Sequence, residues 1–151
     1  MSHSATQTSA SAAAAEYGTL EVVSFMACGH RCAVEAAQVR TQLPAGQSAS
    51  SPPPVPAEQL LGLSGEGTQT PQNPESRSRS RRTLLMKHPA GDYAVTVSEP
   101  VELHRLEINA IYPLPALIAA RCTLAGLRGL AMEPEGVTLL VDFRDAKTPA
   151  R

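Results

Sequence analysis

In TLLMKHPAGDYAVTV, residues 83–97, two β-rich runs surround His88-Pro89-Ala90-Gly91. Tyr93, Val95 and Val97 alternate with Ala94, Thr96 and Ser98, the period of a half-buried strand. Proline and glycine between the runs supply turn chemistry, so the segment reads as a hairpin. LEVVSFMACGHRCAVEA, residues 20–36, has the same plan: runs 20–26 and 31–36 enclose Ala27-Cys28-Gly29-His30. Gly29 takes a positive φ at little cost, which places Cys28-Gly29 at a hairpin tip. In EGVTLLVDFRD, residues 135–145, Val137, Leu139, Val141 and Phe143 line one face, with Thr138 and Asp142 on the other and Leu140 between them. Gly136 marks the turn before that strand. After Pro115, the helix formers Ala116, Leu117, Ala119 and Ala120 support one short helical turn. Gly126 and Gly129 then argue for a turn and a strand start over Leu127–Met132. The chain therefore reads as a mostly-β domain of short strands.

Composition bounds the rest. The 151 residues suffice for one ordinary domain. With no Trp, 2 Phe and 3 Tyr, the core must be aliphatic. A net charge of −1 gives no bias toward nucleic acid or acidic lipid. No apolar run approaches the ~20 residues that span a bilayer, so no direct membrane insertion is expected. MSHSATQTSASAAAAEYG lacks the basic start of a secretory signal, and the 3 Cys, at 28, 32 and 122, do not form a disulfide framework. Reduced thiols and a cytoplasmic location are the expectation. Residues 1–18 are Ser/Ala/Thr-rich and read as a disordered tail. A single domain is expected over 19–148, with a first part at 19–63, a disordered linker at 64–82, and a regular second part at 83–148. Pro, Ser, Gly and Gln dominate 44–82, which reads as a long, largely unstructured insertion with an apolar island at Leu60, Leu61 and Leu63.

Cys28, His30 and Cys32 are the first candidates for chemistry. Structural zinc sites draw ligand pairs from two knuckles, and here the C-x-H-x-C spacing has no second knuckle. Cys122, His88 and His104 are isolated candidates for a fourth ligand. The hairpin reading, with Cys32 as a small buried hydrophobe, outweighs a metal- or thiol-redox domain built on Cys28/His30/Cys32, which stands as the alternative. Arg77, Arg79, Arg81 and Arg82 have no aromatic platform beside them and read as a solvated linker rather than a nucleic-acid contact. GLSGEG, residues 62–67, matches neither a phosphate loop nor a nucleophile elbow around Ser64. Glu99 and Glu102, with Glu107 nearby, read as charges on a solvated edge strand rather than an acid/base pair. His104, beside Arg105, reads as a surface residue. SPPPVP, residues 51–56, reads as spacer before it reads as a polyproline ligand.

LLMKHPAGDYAVTVSEPVELHRL, then AIYPLPALI with Pro113 and Pro115, then LAGLRGLAMEPEGVTLLVDFRD with Val141-Asp142-Phe143, resemble in order and spacing the C-terminal half of the CheW-like domain of bacterial chemotaxis. The first hairpin is similar to that family's opening hairpin. Val39-Arg40 stand at the V-R of a V-R-E-V pattern, with Thr41 in place of its Glu. The family's G-L-x-N-L-R-G-x-x-x-P-V stretch has no counterpart, and PVPAEQLLGL rejoins near its end. The resemblance implies two small SH3-like β-barrel subdomains, the first truncated, without catalysis and without a cofactor. It implies an adaptor that couples a chemoreceptor's cytoplasmic tip to a CheA-type histidine kinase. A divergent member that binds only a kinase or a paralogue is a further reading. Partner contact is expected at Val39 and Arg40, and at Leu127, Arg128 and Leu130. Arg128 between apolar neighbours is a common hot-spot arrangement. The plain alternative there is that Leu127 and Leu130 are core and Arg128 caps a strand end.

Overall fold

The computed structural model describes residues 18–44, 53–63 and 80–145. Nine strands form one sheet: β1 (Thr19–Ala27), β2 (His30–Glu35), β3 (Val39–Leu43), β4 (Val55–Pro56), β5 (Arg81–Met86), β6 (Tyr93–Glu107), β7 (Ile111–Pro113), β8 (Leu127–Glu133) and β9 (Gly136–Val141). Among the described residues two short α-helices interrupt them, α1 (Ala57–Leu61) and α2 (Ala116–Arg121). The strand order is β3-β5-β6-β1-β2-β9-β8-β7, with β4 added to β6. Among the described residues the path is open, with β3 and β7 as its ends, so the sheet is not closed there into the barrels that the resemblance implied.

Both predicted hairpins are present. In β1–β2, Ala27 pairs with His30 across a two-residue turn in which Cys28 (φ 48°) and Gly29 (φ 77°) both lie in the left-handed region. That is the geometry whose twist matches paired strands. β5 and β6 pair from Arg81–Ser98 to Met86–Tyr93. Beyond Ser98, β6 changes partner and runs antiparallel to β1 up to Glu107–Thr19. Pro100, which cannot donate to a ladder, falls at this change of partner, opposite the register shift between Ser24 and Met26.

β3 lies antiparallel on β5, and two further contacts of the hairpins are parallel and long in sequence. β9 lies on β2, with Cys32 opposite Leu139, and β4 lies on β6, with Val55 opposite Val95. The larger core gathers Val23, Phe25, Cys32 and Val34 with Ala57, Leu60, Leu61, Leu84, Met86, Tyr93, Val95, Val97, Val141 and Phe143. Phe25 and Phe143 stack at 6.0 Å between ring centroids. The Tyr93 hydroxyl donates to the Phe143 carbonyl at 2.8 Å, and burial pushes its pKa up to about 12. A smaller core holds Val22, Ala33, Leu106 and Ala131, flanked by Leu20, Ile111 and Leu140.

Two expectations change. Residues 53–63 are not spacer: β4 pairs, and α1 delivers Ala57, Leu60 and Leu61 to the core. Gly62, at φ 71°, ends α1, and the Leu63 amide closes back onto the Glu58 carbonyl at 2.9 Å, a glycine helix stop. Five residues are too few to show helical period, which is why the apolar island was legible and its helix was not. Arg81 and Arg82 belong to β5 rather than to a linker; Arg82 is bound by Glu99, and Arg81 lies 3.8 Å from Glu58. Glu99 is bound by Arg82, while exposed Glu102 lies on the stretch of β6 beyond Ser98 where β1 is its one described partner, in keeping with the expected solvated edge. The predicted tail 1–17 and the stretches 45–52 and 64–79 lie outside the described residues. The expected helical turn after Pro115 is α2, and the expected strand at Leu127–Met132 is β8.

Candidate protein-interaction surface

Strand register decides which side chains meet on β7, β8 and β9. Tyr112 stands opposite Leu130, Leu130 opposite Leu139, and Met132 opposite Val137. Directly opposed residues share a face. One face of this three-stranded unit, with Ala131 and Thr138 fully buried, closes the smaller core. On the other face Leu139 packs against the larger core, and from it an apolar strip runs outward through Leu130 to Tyr112, Met132 and Val137. Those last three remain 54%, 53% and 47% exposed. Both faces of the unit are thus apolar, and one is partly open. Contiguous apolar surface of this kind marks interaction sites.

A polar network lies at the end of the unit on the face that carries Thr138. Glu133 accepts a hydrogen bond from the Thr138 hydroxyl and lies 3.0 Å from His104 Nε2 and 3.8 Å from Arg31. Burial works against ionisation of Glu133, but the Thr138 bond, the Arg31 charge and the contact with His104 outweigh it and hold the carboxyl below its ordinary value. Arg31 also reaches Glu135 at 3.1 Å. An open hollow of about 420 Å³, lined among others by Met26, His30, Arg31, Val137 and Leu139, connects this network to the strip.

A second, more polar cleft of about 360 Å³ is lined by Glu35, Gln38, Arg40, Lys87, His88 and Arg144, among others. Arg40 is bound there by Asp92. Beside it, Asp142 accepts from the Arg144 backbone at 2.9 Å and from its guanidinium at 2.7 Å. These bonds, against some burial and with help from Arg128, hold the Asp142 carboxyl below its usual value.

The predicted partner residues fall into two groups. Val39, half-buried against the larger core, and exposed Arg40 sit on β3 at one end of the strand order. Leu127, Arg128 and Leu130 sit on β8, next to the other end. Leu127 also packs against the larger core, and Leu130 belongs to the apolar strip. Tyr112, Met132 and Val137 were missed in sequence, since only the pairing register puts them beside Leu130.

The cysteines are held apart by the hairpin. Cys28 is exposed in the turn, whereas Cys32 is fully buried and leans its thiol on the His30 carbonyl at 3.8 Å. Among the described residues no three His, Cys, Asp or Glu side chains converge to hold a metal. Burial, then the Glu58 charge, raises both thiols, Cys32 to about 12, which suppresses the thiolate that redox chemistry needs. Cys28→Ser should leave the melting temperature nearly unchanged. Cys32→Ser should cost about 1–3 kcal/mol in denaturant unfolding, because a hydroxyl enters an apolar face.

The described residues thus hold two antiparallel hairpins, each joined by a closing strand from the other, with apolar strand faces. No family model matches the sequence, and no curated protein matches it. Among solved structures, it is similar to the crystal structure of the scaffolding protein TtCheW from Thermoanaerobacter tengcongensis, with a TM-score of 0.57 and 14% identity over 83% of this chain and 90% of that one. At that identity the likeness is one of fold: the described residues have a CheW-like fold. No described helix is long and apolar enough to cross a membrane.

Proposed function

We propose that the chain is a non-enzymatic, cytoplasmic adaptor of bacterial chemotaxis signalling, which couples a chemoreceptor's cytoplasmic tip to a CheA-type histidine kinase. The observation that carries this reading is the fold shared with a chemotaxis scaffolding protein over nearly the whole of that neighbour. The open apolar strip on β7–β9 supports it, since an adaptor needs exposed apolar surface and no catalytic centre. In this reading the two hairpin units are the two subdomains, and the contact residues are Leu127, Arg128 and Leu130 on β8, with Val39 and Arg40 on β3. Arg128 lies close enough to Asp142 to favour its ionised carboxyl.

Arg128→Ala should keep the circular dichroism spectrum and weaken binding to a CheA-type kinase from the same cell about tenfold, ~1.4 kcal/mol, by titration calorimetry. Unchanged kinase affinity removes Arg128 from the interface. Failure of the wild-type chain to bind any kinase or receptor of that cell sinks the adaptor reading.

A further inference from the structure

β2 and β9 pair in parallel from Cys32–Leu139 to Val34–Val141. Ahead of that stretch they part: His30 and Arg31 pair with β1, and Val137 and Thr138 pair with β8. The open hollow of about 420 Å³ lies at this divergence, with His30 and Arg31 on one side and Val137, Thr138 and Leu139 on the other. The two hairpin turns that bound it carry Gly29 and Gly136, and nothing stands within 4 Å of a Cβ built on either. Space is thus free at the turn end of both hairpins.

The wall and the rim of the hollow differ in chemistry. Met26, Val137 and Leu139 give an apolar wall. Val137 stands opposite Met132, so the wall runs on into the exposed apolar strip. The rim is acidic. Glu102, Glu133 and Glu135 lie 4.0, 3.8 and 3.1 Å from Arg31. Among the described residues Arg31 is the one permanent cation within 4.0 Å of any of the three; His104, beside Glu133, is charged only when protonated. Glu102 and Glu135 have mostly exposed side chains, so the charge that Arg31 leaves unmatched faces outward.

We infer that this hollow takes an apolar side chain of a partner polypeptide, with a neighbouring Lys or Arg of the same segment set on the carboxylates around Arg31. An apolar group alone would cover the rim and strip water from carboxylates whose charge is not matched, which costs free energy. A cation beside it offsets that cost. The volume is near the lower end of the roughly 300–1,000 Å³ of ligand clefts, room for one large side chain. The strip that continues from the wall extends the contact beyond the reach of a small ligand and calls for a polypeptide. Nucleic acid and acidic lipid surfaces carry the wrong charge for this rim. The inference names the partner chemistry of the surface proposed above and rests on that reading.

The test titrates the full chain with three blocked tripeptides: acetyl-Lys-Phe-Lys-amide, acetyl-Glu-Phe-Glu-amide and acetyl-Lys-Gly-Lys-amide. NMR follows the methyl signals of Met26, Val137 and Leu139. The first peptide should shift them with a Kd on the order of 1 mM, and the other two should bind at least about tenfold more weakly. Glu135→Lys changes an exposed side chain and should keep the circular dichroism spectrum. It should weaken the first peptide about tenfold and improve the second. Glu135→Gln, which removes the charge without reversing it, should weaken the first peptide about threefold. Three results overturn the inference: no shift of these methyls at about 10 mM of the first peptide, equal affinity for the Lys- and Glu-flanked peptides, or folded Glu135 variants that bind the first peptide as tightly as the parent. The kinase titration of the wild-type chain decides the adaptor reading separately, so the two failures are told apart.

Discussion

Gly126→Ala should destabilise the protein by about 3 kcal/mol or more, close to the most damaging single change available on its surface-lying turns. Gly126 has φ +75°, where an added Cβ costs about 1–2 kcal/mol in any setting. Here the Cβ would also stand 2.3 Å from the Asp142 carbonyl oxygen, a backbone atom that cannot swing aside. The Asp142 amide donates to the Gly126 carbonyl at 2.8 Å, so relief of the clash breaks that bond and disturbs the Asp142–Arg144 pair. Gly29→Ala is the control: its φ is +77°, but nothing lies within 4 Å of the new Cβ, so only the conformational cost of about 1 kcal/mol applies. Urea unfolding of the two variants should separate them by about 2 kcal/mol. Equal losses would show that the approach to Asp142 relaxes freely.

Phe25→Ala is expected to cost about 3–5 kcal/mol, the range for truncating a buried aromatic with incomplete collapse around it. Phe25 has no exposed surface and stacks on Phe143, itself 1% exposed, so the ring ties the first hairpin to the last turn of the described chain. With stabilities of small domains near 5–15 kcal/mol, the variant should melt far below the parent and, if the parent is marginal, should not fold at 37 °C. Phe25→Leu should recover most of the loss, since it restores volume without the stacking geometry. A Phe25→Ala protein that melts within a few degrees of the parent would mean that the core around Phe143 closes over the gap.

The hairpins were legible because both carry period-two alternation around a glycine or proline turn, and β8 because two glycines announce its start. β4 was hidden. Val55-Pro56 sits in a proline run, and its partner Val95 is far along the chain, so no local pattern signals a parallel pair. The same holds for the pairing of Cys32 with Leu139, although the place of Cys32 as a small buried hydrophobe could be read from its strand neighbours. At the surface, Leu130 could be read from its place beside Arg128. Tyr112, Met132 and Val137 each looked like an isolated apolar residue until the register of three strands laid them on one face. The Asp142–Arg144 pair left a faint trace, an acid and a base two positions apart after a strand, that sequence alone does not separate from ordinary solvated charge.

The crossed closing strands bear on how the molecule can be made and broken. Because β4 completes the second hairpin and β9 the first, every chain segment that could be called a half contains an unfinished sheet and only part of either core. Neither half is a folding unit. The Cys32–Leu139 pairing joins residues from near opposite ends of the described chain and the Val55–Val95 pairing spans its middle, non-local contacts that slow the search for the native state. The domain should gain and lose its structure in a single all-or-none transition. Two fragments separated between α1 and β5 should each be unstructured alone and acquire structure only together.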